Sequence, residues 1–219
     1  MKNVIIFGVN QFAEMLYYYL LKENEYKVCA FTVDNDYCDE ENFLGLPVVA
    51  FENVQEFYSP DEYAIFICAG YKNMNNVRTF KFQQAREKGY KIMSYIHKTA
   101  IVLTDDFGEG NIVMEGVTIG VMCRIGDGNV FWANAHVAHH TIVGDYNFFT
   151  ISVSVAGNIR IHNNCFFGNN CTIRNGLDIA DYTLVGAGAY ISKDTEKDSV
   201  YVPQRTIKLE GKKSIEMNL

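Results

Sequence analysis

Between residues 101 and 191 one hydrophobic position recurs every six residues. It is occupied by Ile101, Phe107, Val113, Ile119, Ile125, Phe131, Val137, Val143, Phe149, Val155, Ile161, Phe167, Ile173, Ile179, Val185 and Ile191. Each is a β-branched aliphatic or Phe. The next residue is often small, as at Gly108, Gly120, Gly126, Ala138 and Gly168. The fourth residue after it is compact, as at Cys123, Ala135, Thr141, Cys165 and Cys171. An α-helix repeats near 3.6 and a strand at 2, so a period of six fits neither. It predicts a parallel β-helix in which each hexad supplies one short strand and one corner. Three hexads close a triangular coil, so residues 18 apart stack on neighbouring coils about 4.8 Å apart. The repeated residue points into the prism, the compact one fills the space beside it, and the rest face outward.

The first part of the chain has a different rhythm. The apolar runs at 3–7 (NVIIF), 27–33 (KVCAFTV), 63–68 (YAIFIC) and 91–95 predict strands. Helical patterns lie between them, near 11–22 and 73–88, with a short one starting near Asn53. Residues 37–50, with Gly45 and Pro47, are expected as loop. Alternating strands and helices predict a small parallel α/β domain. No linker rich in Pro, Gly or Ser separates it from the hexads, so the two parts should dock closely. The domains are expected at 1–96, 97–195 and, as a tail carrying Arg205, Lys208, Lys212 and Lys213, 196–219.

Composition narrows the field. The chain has 219 residues, a hydrophobic content of 48% and a net charge of -7, which argues against a nucleic-acid partner. No apolar run approaches the ~20 residues of a membrane span, and no signal peptide is apparent at Met1, so no membrane partner is expected. None of the six cysteines sits in a CxxC pair, and a reducing cytoplasm is the expected location.

Ligands of open parallel sheets bind at the carboxyl ends of the strands. Those ends here carry Gly8 and Asn10, Asp34 and Asp36, and Gly70. Glycine tips let a ligand reach backbone N–H groups, a helix start favours phosphate, and an acidic residue after the second strand can take a ribose or base donor. The dinucleotide GxGxxG pattern is absent, since Asn10 and Ala13 stand where its second and third glycines would be. Among the histidines, His97 falls at the domain junction, where a hinge hydrogen bond is expected. His136, His139 and His140 fall on outward positions, and His162 reads as surface. Adding 18 to His139 gives Gly157, a bare position beside an imidazole, with room for a substrate and a backbone N–H to offer it. Imidazole is the side chain suited to general-base work at neutral pH.

These segments resemble the nucleotide-sugar acetyltransferases of the PglD, NeuD and perosamine N-acetyltransferase type. The resemblance rests on VIIFG at 4–8, IFICAG at 65–70 and IHKTA at 96–100. It is stronger in AHHTIVGD at 138–145, VAGNIRIHNNCFFG at 155–168 and IADYTLVGAGA at 179–189, and it extends to about Val202. It implies an α/β Rossmann-like N-terminal domain followed by a left-handed β-helix. It also implies nucleotide-sugar binding by the first domain, through Gly8, Asn10, Asp34, Asp36 and Gly70, and a homotrimer with acetyl-CoA between subunits. By the same resemblance His139 is the base, followed by His140 where the family usually has Glu or Asp. Gly157 faces the thioester, and Asn169 and Ala187 contact CoA. The turn YVPQR at 201–205 replaces a GVPA-like one.

The activity so implied is acetyl-CoA-dependent N-acetylation of a nucleotide-linked amino-dideoxy sugar for a bacterial surface glycan. O-acetylation of a sialic-acid-like sugar is the alternative. A zinc hydratase using His136, His139 or His140, and His162, and a non-catalytic scaffold, are the readings from other classes.

Overall fold

The structure, a computed structural model, describes residues 1–38, 41–204, 206, 208, 210 and 215. Of the tail cations, Arg205, Lys212 and Lys213 lie outside the described residues. Strand β1 (Lys2–Phe7) leads through Gly8 into helix α1 (Gln11–Glu23), and β2 (Tyr26–Val33) returns parallel beside β1. Val4 to Phe7 are all buried, as continuous apolar runs should be in a parallel sheet covered on both faces. In α1 the buried residues Phe12, Ala13, Leu16 and Leu20 form one stripe at helical spacing. The Asn10 side chain caps the start, and Asn24 ends the helix in the left-handed conformation at φ 56°.

The segment expected as loop contains two strands, β3 (Asn42–Phe43) and β4 (Leu46–Ala50). Strand β4 pairs parallel with β2, and β3 covers its outer edge antiparallel. A five-residue run containing Pro47 is a weak strand signal, because Pro cannot donate to a ladder. Helix α2 (Val54–Phe57), strand β5 (Ala64–Ile67), helix α3 (Asn76–Glu87) and strand β6 (Lys91–Ile92) complete the unit. The sheet order is β3-β4-β2-β1-β5-β6. The chain therefore leaves β1 to one side for β2 and β4 and returns on the other for β5 and β6. A crevice opens outside the carboxyl ends of β1 and β5, where that order reverses.

From Tyr95 onward the chain winds into a triangular prism of two-residue strands. The first face runs from Tyr95–Ile96 through Ile112–Val113, Val130–Phe131, Phe148–Phe149, Phe166–Phe167 and Leu184–Val185 to Val200–Tyr201. The second stacks Ile101–Val102, Thr118–Ile119, His136–Val137, Ser154–Val155, Thr172–Ile173 and Tyr190–Ile191. The third stacks Arg124–Ile125, Ile142–Val143, Arg160–Ile161 and Asp178–Ile179. All neighbours are parallel, and Phe131, Phe149 and Phe167 stack inside the prism with ring centroids 4.6 and 4.7 Å apart. From Gly110 to Gly188 every sixth residue has a positive φ, which makes each corner the same left-handed bend. The coils fit the expected left-handed β-helix.

The hexad register holds except at its ends. Ile101 is 53% exposed; it pairs with Thr118, and Val102 turns inward against Ile119 instead. The first coil is thus one residue short, and the expected inward role of Ile101 is corrected to Val102. At the other end the period of six ends after Ile191, and Val200–Tyr201 adds one further rung beside Leu184–Val185 outside that spacing. The expected strand at 91–95 divides in the same way, into β6 of the first sheet and Tyr95–Ile96 of the prism.

Side-chain ladders stitch the corner between the third and first faces. The N–H groups of Asn129, Asn147 and Cys165 donate to the Oδ1 of Asn111, Asn129 and Asn147, one coil back. Their amide groups donate in turn to Gly108, Gly126, Gly144 and His162 carbonyls. Buried backbone groups at corners lose their sheet partners, so buried Asn supplies the missing ones.

The α/β unit lies against the outer side of the first face. Ile112, Val130 and Phe148 face outward on the prism and are nevertheless buried, in one cluster with Phe12, Leu16 and Phe66. Beside them Arg78 of α3, 1% exposed, donates to the carbonyls of Gly128, Tyr146 and Asn147 on the prism and of Ala69 and Gly70 after β5. Burial pushes its pKa down to about 9, so the guanidinium stays charged at neutral pH.

Candidate active site

Two places carry most of the expected site residues. The first is a cavity of about 650 Å³ at the crevice where the strand order reverses. Gly8, Asn10, Asp34 and Gly70 all line it. Asp36 does not; it is exposed on the short turn Asn35–Tyr37. Asn10 has a structural task there, because its Oδ1 accepts the Phe12 and Ala13 N–H groups at 3.0 and 3.1 Å and its amide donates to the Cys68 carbonyl. Gly8 has φ 128°, and a Cβ there would meet the Cys68 carbonyl oxygen at 3.1 Å, so the turn requires glycine.

Sequence reasoning missed the cation that pairs with Asp34 in this cavity. Lys81 of α3 pairs with Asp34 and donates to Gln84 at 2.8 Å. Its ammonium lies 5.3 to 5.6 Å from the ring centroids of Phe7, Phe51 and Phe80. Lys72, Asn73, Asn76 and Phe80 also line the wall. The signal was present at helical spacing: Arg78, Lys81, Phe82 and Ala85 form the buried stripe of α3. Two cations on such a stripe read as solvated when only the sequence is in hand.

The second place is the corner between the second and third faces. His139 and His140 sit there side by side with their Nδ1 atoms 3.0 Å apart and their rings at 88°. Gly157 lies one coil on, as the spacing of 18 predicts, and Asn158 N–H donates to the His139 carbonyl at 3.0 Å. A Cβ on Gly157 would lie 2.7 Å from His139 Cε1 and 2.9 Å from Nε2, so the imidazole rests directly on the glycine. Among the described residues the Gly157 N–H has no acceptor. An exposed imidazole beside a free backbone N–H can take a proton from a nucleophile while the N–H receives a developing oxyanion.

The remaining candidates lie elsewhere. Asn169 and Ala187 stack on the corner between the first and second faces, across the second face from Gly157. Asn169 borders a small apolar cleft of about 220 Å³ with Tyr71, Trp132, Phe148, Thr150 and Ile151. Asp145 lies at the corner between the third and first faces, where it accepts the Asp127 N–H. His97, at the junction, bonds Thr99 two residues on at 2.9 Å. His136 is exposed on the second face, and His162 pairs with Asp178 at 2.9 Å on the third. Among the described residues no three His, Cys, Asp or Glu side chains gather as a metal site.

No family model matches the chain. Solved structures do. A His-to-Asn variant of perosamine N-acetyltransferase from Caulobacter crescentus, in complex with CoA and GDP-perosamine, superposes with a TM-score of 0.83 at 25% identity, covering 93% of this chain and 94% of that one. The acetyltransferase domain of PglB from Neisseria gonorrhoeae FA1090, in complex with acetyl coenzyme A, gives 0.82 at 20% identity over 92% and 96%. WeeI from Acinetobacter baumannii AYE gives 0.81 at 19% identity over 93% and 97%. Across nearly its whole length the chain resembles the hexapeptide-repeat sugar acetyltransferases to which its motifs pointed.

Proposed function

We propose that this chain is an acetyl-CoA-dependent N-acetyltransferase that acts on a nucleotide-linked amino-dideoxy sugar for a bacterial surface glycan. The observation that carries the reading is the imidazole of His139 resting on Gly157. The superposition with a perosamine N-acetyltransferase that binds CoA and GDP-perosamine supports it. In this reading residues 1–96 form a Rossmann-like nucleotide-sugar domain and residues 97–195 the acetyl-transfer domain. Gly8, Gly70 and Asp34 hold the nucleotide in the larger cavity, with Asn10 shaping its floor and Lys81 fixing the Asp34 carboxylate. Asp36, outside the cavity, could meet only a part of the substrate that extends beyond it.

His139 takes the proton of the sugar amine as nitrogen attacks the thioester carbonyl. The Gly157 N–H receives the oxyanion, a type of donor whose loss costs about 3 kcal/mol in other enzymes. The C–S bond then breaks, and the departing CoA thiolate takes the proton from His139. Holding amine and thioester side by side removes much of the entropic barrier. CoA meets Gly157 on one edge and Asn169 and Ala187 on another, which suits a cleft between two copies of the chain in a homotrimer.

The test is a panel of UDP-, dTDP- and GDP-linked amino sugars, with hydroxyl-only sugars beside them, incubated with acetyl-CoA and read by thiol release. An amino sugar should be acetylated, and His139→Ala should lower kcat by roughly 10²- to 10⁴-fold, the usual weight of a general base. Turnover of hydroxyl-only sugars alone would move the reading to O-acetylation. Full activity of His139→Ala would overturn the mechanism.

A further inference from the structure

The corner beneath the imidazole pair carries an inference about His140. At the left-handed corners of the prism most residues are Gly or Asn, the two that tolerate positive φ best. Where another residue accepts that conformation, its side chain can have a task. The Tyr146 ring packs on Phe82 at 5.4 Å, and the Tyr182 hydroxyl bonds Asn76 at 3.0 Å. His140 stands at such a corner with φ 58°, and its Nδ1 meets His139 Nδ1. Among the described residues neither ring has another hydrogen-bond or ion-pair partner. The coil before presents Val121 and Met122, and the coil after presents Gly157 and Asn158.

Two Nδ1 atoms 3.0 Å apart need one hydrogen between them. If His140 supplied it, His139 would carry its own hydrogen on Nε2 and have no lone pair there for a substrate. We propose that His140 is a positioning residue: its bare Nδ1 accepts the Nδ1–H of His139 and so leaves the His139 Nε2 lone pair free over Gly157. This rests on the reading of His139 as base. During transfer His139 Nε2 gains the amine proton, while the Nδ1 hydrogen stays on His139 and remains hydrogen-bonded to neutral His140. The proton later leaves Nε2 with the thiolate, so the pair ends as it began. A carboxylate in the same place would fix the tautomer by charge. His140 fixes it as a neutral acceptor, which it remains only while unprotonated.

Two measurements test this. The first is the ¹⁵N spectrum of the histidine-labelled protein without ligand, which should place the His139 hydrogen on Nδ1. An Nε2–H or mixed tautomer overturns the proposal. The second is kinetics with acetyl-CoA and GDP-perosamine. His140→Gly removes the acceptor and relieves the strained corner, so loss of activity cannot be assigned to misfolding. It should lower kcat by about 10- to 100-fold, the weight of an orienting partner, with both KM values nearly unchanged. His140→Asn keeps an acceptor oxygen near the Nδ1 position and should restore most of kcat. In His140→Asp the acid side of the pH–rate profile should move to higher pH, because a carboxylate stabilises the imidazolium. An unchanged kcat in His140→Gly, with His139→Ala inactive, overturns this proposal alone. Full activity in both variants overturns the base reading and the proposal with it.

Discussion

At the scale of single residues, the decisive contact is one that arithmetic on the sequence could find. The spacing of 18 put His139 beside Gly157, and there the imidazole lies close enough that any side chain on Gly157 would strike it. Gly157 is not among the positive-φ glycines, so Ala is acceptable to its backbone. The added methyl would press on the far end of an exposed side chain, which can swing away. Gly157→Ala should therefore fold with near-normal stability yet lose about 10²-fold or more in kcat, as a displaced catalytic group does. A thermal melt beside the thiol-release assay checks it, and an active variant would mean that the ring does not work from this position. The other half of the site was less legible. Asp34 was found because it closes a strand, but its partner Lys81 was hidden on a helix whose sequence, NVRTFKFQQARE, reads as mostly polar. A buried cation is recognisable only when its acceptor, here 47 positions away, is known to be adjacent.

At the scale of elements, the period of six fixed nearly every rung of the prism, because each inward residue faces the same environment and any slip would expose it. It failed at Ile101, where the chain enters the prism from the α/β unit and no earlier coil holds the register. Strand β4 was missed for a different reason: its five residues pair with β2 through backbone atoms, and pairing leaves little trace in so short a run. The buried cysteines give a direct check on the inward register. Cys68, Cys123, Cys165 and Cys171 are buried, and burial pushes the thiols of Cys165 and Cys171 up to about 12. In the native protein only Cys29 and Cys38 should react readily with a thiol reagent, and the other four should appear on unfolding. Fast modification of Cys165 or Cys171 would show that their hexads point outward. Docking of α3 onto the prism has its own probe. Arg78→Ala takes a donor from five carbonyl oxygens; that of Asn147 keeps the Val130 N–H, and the other four lose their partner, each unpaired buried acceptor costing ~1–3 kcal/mol unless water replaces the donor. A loss of about 3–5 kcal/mol is expected in denaturant unfolding, well above the usual surface substitution. A change under 1 kcal/mol would mean that the guanidinium does not hold the two parts together.

At the scale of the whole molecule, the two halves of the proposed site cannot serve each other within one chain. The α/β unit covers the first face of the prism, and Arg78 ties it to the corner between the third and first faces. His139 and Gly157 occupy the corner between the second and third faces, which lies opposite the first. The cavity proposed for the nucleotide therefore sits on the far side of the prism from His139 of the same chain. A single prism also offers the thioester only convex edges, whereas ligand sites are concave. A neighbouring copy resolves both difficulties if its His139 edge approaches the cavity of the first, and cyclic symmetry repeats that contact until the ring closes. The expectation is a homotrimer in which each site joins one chain's nucleotide cavity to the next chain's His139. Complementation distinguishes this from three independent sites. His139→Ala keeps its cavity but lacks a base. Gly70→Trp keeps its base but blocks its cavity; the open space around the Gly70 Cβ position should let the variant fold. Each alone should be nearly inactive. Unfolded together and reassembled, they should regain activity at about a quarter of the sites, the fraction in which random mixing sets an intact cavity beside an intact His139. Sedimentation should give a trimer for both parents and for the mixture. A fully active monomer, or mixed trimers with no more activity than their parents, would place cavity and base within one chain and require a different path between them.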